Sequence, residues 1–178
     1  MIRPQARGIN PTRADHLLIY VSPPDEYTEP LHRLLLQLDV PARVYGTSRT
    51  GRDAKIEFKP ISNVPFLEDL ASCRSVIATA GNQLPGEAIY FGKPVLGFWN
   101  KYFEQKLNGM QINRLGVGMG VPRSQLSSAV VKSFLAREDE FTENARSLRI
   151  DGAADAVQLL ERLSLELTTR KSRGAPTP

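Results

Sequence analysis

One cysteine and two histidines are the whole supply of the most versatile metal-binding and nucleophilic side chains in this chain of 178 residues. The lone Cys73 excludes an intramolecular disulfide framework and a cysteine-based zinc cluster. It closes a helix expected over Phe66 to Cys73, where its place is that of a small buried hydrophobe. His16 stands at a strand start and His32 in a helix, neither with an obvious carboxylate partner in sequence. There is no Gly-x-Ser-x-Gly elbow, no metal-ligand cluster and no residue that declares itself a general base. The acidic run Glu138-Asp139-Glu140 falls at an expected helix start, where solvated acids belong, so a metal reading of it is rejected. No apolar run approaches the length of a spanning helix, and the Arg-bearing start lacks the apolar core of a signal peptide. These absences point to the reducing cytosol. A stripe of interleaved aromatic and basic residues is missing too, which removes nucleic acid as a partner.

What is present describes one soluble domain. Hydrophobic residues make up 41% and charged residues 24% of the chain, ordinary values for a globular protein with a real core. The formal charge of +4 serves solubility first. It leaves open a meeting with an anionic lipid surface, a peripheral position at the inner face of a membrane, or a polyphosphate. Met1 to Arg13 and Arg170 to Pro178 are rich in Arg, Lys, Pro and Gly without apolar periodicity. Residues 1–14 therefore read as a linker or arm, 15–168 as the domain and 169–178 as a disordered tail.

Within the domain, strands alternate with helical patterns. His16 to Val21 is a continuous apolar run, as in a parallel strand buried on both faces. A helix is expected from about Glu26 to Leu38, then strands at Ala42 to Tyr45 and Lys55 to Phe58, with Thr47 to Gly51 as a polar loop between them. A helix over Val64 to Cys73 leads to a strand at Ser75 to Thr79, a helix carrying Glu87, and a strand at Pro94 to Phe98. Another helix opens near Glu104, a short strand follows at Gly116 to Val121, and helices fill Ser124 to Leu135, Glu138 to Leu148 and Ala153 to Leu167. Such alternation predicts an α/β fold, a Rossmann-like doubly wound parallel sheet of about six strands.

The segment from Ala78 to Asn108 carries the chemistry. Two consecutive strand-to-helix turns place their loops side by side at the carboxyl edge, where open α/β sheets bind ligands. At Gly81-Asn82-Gln83 a helix N-terminus offers unpaired amides and a partial positive charge to a phosphate. Gly81 permits close approach, Asn82 is expected as the N-cap, and Pro85 falls in the first turn. The turn matches neither the dinucleotide fingerprint nor the P-loop, and alone it is only a tight helix entry. Glu87, about one helical turn further on, could accept two hydrogen bonds from a ribose diol; the plainer alternative is a solvent-exposed helical glutamate. Glu104 and Gln105 could read sugar hydroxyls or merely favour a helix start. Asn108 is assigned a structural hydrogen bond. Ser22 ends the first strand in a loop that Pro23-Pro24 makes poor in donors. Ile61 follows the third strand, where a planar base could meet apolar surface.

These residues carry a resemblance. The run FLEDLASCRSVIATAGNQLPGEAIYFGKPVLGFWNKYFEQKLNGMQINRLGVGMGV, with HLLIYVS and ARVYG before it, resembles the C-terminal, donor-binding domain of GT-B glycosyltransferases. It is nearest to the family 28 type. The resemblance covers about Asp15 to Leu167. It implies that Gly81 and the backbone after it meet the diphosphate of a nucleotide-sugar, that Glu87 holds the ribose hydroxyls, and that Glu104 and Gln105 contact the donor sugar. Ile61 would border the base, commonly uracil, and Ser22 the first phosphate-side loop. Leu84 stands where relatives carry Ser or Thr, and Ser22-Pro23-Pro24 replaces a glycine-rich loop. The implied activity is inverting, metal-independent hexosyl transfer from a UDP-linked sugar, with no cofactor. Its acceptor, lipid-linked or another hydroxyl, and its base would come from an absent acceptor domain or partner subunit, so the chain alone should turn over little or nothing. A non-catalytic nucleotide-sugar-binding module and a GT-B-type sugar-nucleotide epimerase are the alternatives. An exposed cleft face leaves self-association into a homo-oligomer open.

Overall fold

The computed structural model describes residues 2–148 and 157–165. Among the described residues seven strands form one sheet: β1 (Leu17–Tyr20), β2 (Ala42–Tyr45), β3 (Gly51–Asp53), β4 (Ile56–Phe58), β5 (Ser75–Thr79), β6 (Val95–Trp99) and β7 (Gly118–Pro122). Their spatial order is β3-β4-β2-β1-β5-β6-β7, and every pairing is parallel except β3 with β4. About six strands were expected. The additional one, β3, is a three-residue exposed edge strand folded back on β4 through a turn where Ala54 has a φ of +50°. It starts at Gly51, the last residue of the expected polar loop, and runs on through residues assigned to no element, because an edge strand exposed along its whole length shows no apolar alternation.

The helices are α1 (Glu29–Gln37), α2 (Asn63–Ser72), α3 (Gln83–Tyr90), α4 (Phe103–Leu115), α5 (Ser128–Ala136) and α6 (Glu138–Ser147). Two expected helices start later than their apolar patterns suggested. A 3-10 turn at Pro24–Glu26 precedes α1, whose start coincides with Pro30 in its first turn. Another, Arg123–Gln125, precedes α5, where Ser127 Oγ accepts from the Val130 amide at 3.4 Å. Residues 157–165 are helical. The remainder of the helix expected over Ala153–Leu167, and the tail expected at 169–178, lie outside the described residues.

Continuous apolar strands need cover on both faces, and the sheet has it. Leu17, Ile19 and Val21 pack on one face with α1, α5 and Phe141 of α6. Leu18, Val76 and Ala78 pack on the other with α2 and α3. Leu17, Leu18 and Ile19 have no exposed surface, and each such side chain contributes about 1.5–3 kcal/mol. The arm joins the second layer. Ile2 and Ala6 are buried there, and the Thr12 and Ala14 amides bond the carbonyls of Ala71 and Ser72 at 3.0 and 2.8 Å. Among the described residues no helix is long and apolar enough to cross a membrane.

Candidate functional site

From β1 the chain steps outward through β2 to β4, then returns to β1's other side to lay down β5, β6 and β7. The reversal falls between β1 and β5, and their diverging carboxyl ends leave a crevice. A cavity of about 550 Å³ occupies it, within the range of small-molecule sites. All eight residues singled out in the sequence line it: Ser22, Ile61, Gly81, Asn82, Gln83, Glu87, Glu104 and Gln105. They arrive from four separate loops or helix starts, after β1, β4, β5 and β6.

Hydrogen bonds fix those loops to one another. The Ser22 amide donates to Thr79 Oγ1 at 3.1 Å, tying the end of β1 to the end of β5. Asn108 Nδ2 reaches from α4 to the Ala80 carbonyl and to Asn82 Oδ1, each at 3.0 Å, joining the turns after β5 and β6. This is the structural role expected of Asn108. It also corrects the reading of Asn82 as a side-chain cap. Asn82 has helical dihedrals (φ −70°, ψ −44°) and makes no capping bond, its side-chain oxygen being taken by Asn108. The Gly81 amide bonds the Thr79 carbonyl at 2.7 Å, so the donors left for an anion are the amides that follow it, from Asn82 into the first turn of α3.

Glu87 is neither solvent-exposed nor free. Its side chain is 1% exposed, and Arg3 grips it with Nε on Oε1 at 2.7 Å and Nη2 on Oε2 at 2.6 Å. Gln83 Nε2 adds a bond to Oε1 at 3.1 Å. The Arg3 guanidinium also lies over the Phe66 ring, 5.2 Å from its centroid. Arg3, Tyr20, Phe66, Tyr102 and Phe103 thus belong to the cavity wall, and sequence reasoning missed all five. Arg3 sits in an arm without periodicity, 84 residues from Glu87, and carried no signal. Phe66 showed in the sequence only as a member of the helix leading to Cys73.

On the opposite wall, Glu104 is exposed at the first turn of α4, and Gln105 Oε1 is buried without a hydrogen-bond partner among the described residues. A buried amide oxygen left unpaired costs about 1–3 kcal/mol, and a hydroxyl donor in the cavity would remove that cost. Arg3, Glu87 and Glu104 are the charged residues lining the cavity. The arrangement therefore offers acceptors for hydroxyls along two walls, an amide-rich helix start between them and aromatic surface at the rim.

Residues 1–138 match the family described as Glycosyl transferase family 1. No curated protein sequence matches the chain. Among solved structures it is similar to spinosyn forosaminyltransferase SpnP, at 19% identity with a TM-score of 0.65, over 92% of this chain and 46% of that one. It is also similar to the glycosyltransferase of kitacinnamycin, at 14% identity with a TM-score of 0.66, over 83% of this chain and 42% of that one. A third, the glycosyltransferase SnogD from Streptomyces nogalater, has 17% identity and a TM-score of 0.60, over 80% of this chain and 40% of that one. At such identities the likeness is one of fold, that of a GT-B C-terminal domain, and the chain spans less than half the length of these structures. The match to family 1 gives the narrower likeness to family 28 no support of its own.

Proposed function

The chain belongs to glycosyl transferase family 1, and from that premise we propose that it is the donor-binding half of a glycosyltransferase, holding a nucleotide-activated sugar, UDP-linked by preference. The observation that carries this reading is the meeting of Ser22, Ile61, Gly81 to Gln83, Glu87, Glu104 and Gln105 around one cavity at the point where the strand order reverses. In it the ribose diol bonds the Glu87 carboxylate, and the diphosphate lies against the amides that open α3. The sugar faces Glu104 and the unpaired Gln105 oxygen, and the base lies toward Ile61 and the aromatic rim. The transfer is inverting and metal-independent. As the glycosidic bond breaks, negative charge gathers on the departing diphosphate, and the amides and dipole of α3 stabilise it there. The acceptor hydroxyl and the base that takes its proton come from an acceptor domain or partner subunit, so this chain alone binds donor weakly and turns over little.

Calorimetric titration of UDP-, GDP- and dTDP-sugars tests the reading. A UDP-sugar is expected to bind, and Glu87→Ala to weaken it by about tenfold, since a hydrogen bond to a charged group is worth about 1.5–3 kcal/mol. Absence of binding by every nucleotide at millimolar concentration removes the donor-domain reading. Binding that Glu87→Ala leaves untouched moves the ribose elsewhere.

A non-catalytic nucleotide-sugar-binding module is the second reading, favoured by the grip of Arg3 on Glu87. Sustained binding without sugar transfer, after the acceptor half of a relative is supplied, would select it.

A further inference from the structure

A second cavity of about 320 Å³ lies at the opposite, amino edge of the sheet, away from the site proposed for the donor. Arg74 and Lys93 reach it from just before β5 and β6, Arg146 from α6, and Thr12 and Arg13 from the arm. Four of its lining side chains are cationic and none is a carboxylate. The nearby acids are already engaged outside it. Glu138 is buried against Arg74 Nη2 at 2.5 Å and Ser75 Oγ at 2.7 Å, with Arg13 at 3.5 Å. Asp139 pairs with Arg13 at 2.9 Å from an exposed position.

Lys93 is the telling residue. It is 5% exposed, and its ammonium donates to one acceptor among the described residues, the Thr12 carbonyl. An ammonium has three donors, and a cation taken out of water needs a counter-charge. No carboxylate pairs with Lys93 or with Arg146 among the described residues. Burial holds the Lys93 pKa below its ordinary value; Cys73 and, more weakly, the charge of Glu138 counter this, while the positive charges of Arg146 and Arg13 add to it. Arg146 is placed by packing, since its Cγ lies where a side chain on Gly92 would begin, 2.8 Å from an ideal Cβ.

We propose that this cavity binds a small phosphate-class oxyanion, gripped by Lys93 and Arg146 with Arg13 at its mouth. Its volume suits inorganic phosphate, diphosphate or a phosphate monoester of a small molecule; Thr12 and Thr142 line it too, the Thr142 hydroxyl already donating to the Glu138 carbonyl at 2.8 Å. This site is independent of the donor reading, because it shares no lining residue with the first cavity.

The test is titration of the whole 15N-labelled chain with inorganic phosphate and then pyrophosphate, at ionic strength held constant with sodium chloride. Saturable shifts are expected at the amides of Gly92, Lys93 and Arg146. Arg146→Gln, which changes an exposed side chain, should weaken binding about tenfold, the effect of losing one charge-assisted hydrogen bond. Lys93→Met, checked for folding by its melt, should abolish it. Sedimentation with phosphatidylcholine vesicles containing phosphatidic acid separates a lipid headgroup from free phosphate; no pelleting is expected. The proposal is overturned if no saturable shift appears at these amides up to about 50 mM phosphate, well beyond the millimolar range of weak sites. It is equally overturned if both variants bind like the wild type, or if vesicles pellet the chain while free phosphate moves nothing.

Discussion

Glu87 is where the fold and the proposed ligand ask for the same two oxygens. Arg3 holds both now, and a ribose diol would need both. Arg3→Ala frees the carboxylate and removes its partner at once. Expected are a tighter UDP-sugar affinity and a loss of about 1–3 kcal/mol of stability, the cost of stranding a buried acceptor, read as a fall of several degrees in Tm. If affinity drops instead, Arg3 serves the ligand directly. The sequence offered two fates for Glu87, and its burial under Arg3 is a third. A contact from an aperiodic arm leaves no periodic trace, so it could not be foreseen. The same limit applies at Asn82, whose residue type favours capping. Only the position of Asn108, 26 residues on, turns that side chain away from the helix start. Cys73, by contrast, was legible: a small side chain closing an apolar helix is buried, and it is fully so.

Helix α4 carries Glu104 and Gln105 to the cavity, and its seat on the sheet was only half readable. The alternation Gly116-Val-Gly-Met-Gly-Val121 marked a strand, but why glycine recurs there depends on what lies above it. Gly116 ends α4 in the left-handed conformation (φ +65°). At Gly120 the helix backbone itself presses down, so an added Cβ would sit 2.0 Å from the Gly109 carbonyl oxygen. Asn113 then clamps the pair, donating to the Gly120 carbonyl at 2.9 Å and accepting from its amide at 2.8 Å. Gly120→Ala must lift α4 from the sheet. Overpacking of this kind costs about 1–3 kcal/mol, measurable as a lower urea midpoint. If the donor lies as proposed, with its sugar at the first turn of α4 and its diphosphate at α3, the variant should lose any preference for UDP-sugar over UDP while UDP affinity holds. An unchanged preference would place the sugar away from α4.

At the scale of the whole molecule, the doubly wound, mostly parallel sheet was legible because alternating strands and helices leave few topologies, whereas the strand order was not read from the sequence. Which charges end up buried was not, since those pairs join distant segments: Asp69 with Arg43 and Lys59, Glu138 with Arg74. These buried groups set the pH range in which the fold is stable. Burial, helped by the charge of Arg43, lowers the His16 pKa below 6.5, so under pH 6.5 the unfolded chain takes up a proton that the folded chain refuses. Stability is therefore fully present above 6.5 and falls as pH drops through the folded value of His16. Asp69 acts likewise further down. Burial pushes it up, but hydrogen bonds from Lys59 and Tyr45 and the charge of Arg43 prevail, and its contribution fades below 3.8. On the alkaline side burial pushes the Cys73 thiol from 9.0 to about 12, so the unfolded chain releases its proton first and stability falls as pH rises from 9.0. Lys93, lowered by burial, works in the opposite direction below 10.5. The readout is accordingly a difference between variants. Thermal melts from about pH 5 to 11 should show a flatter acid limb in His16→Gln and a flatter alkaline limb in Cys73→Ala, each against the wild type. Parallel limbs in either pair would mean that the side chain in question does not hold its proton state through the fold.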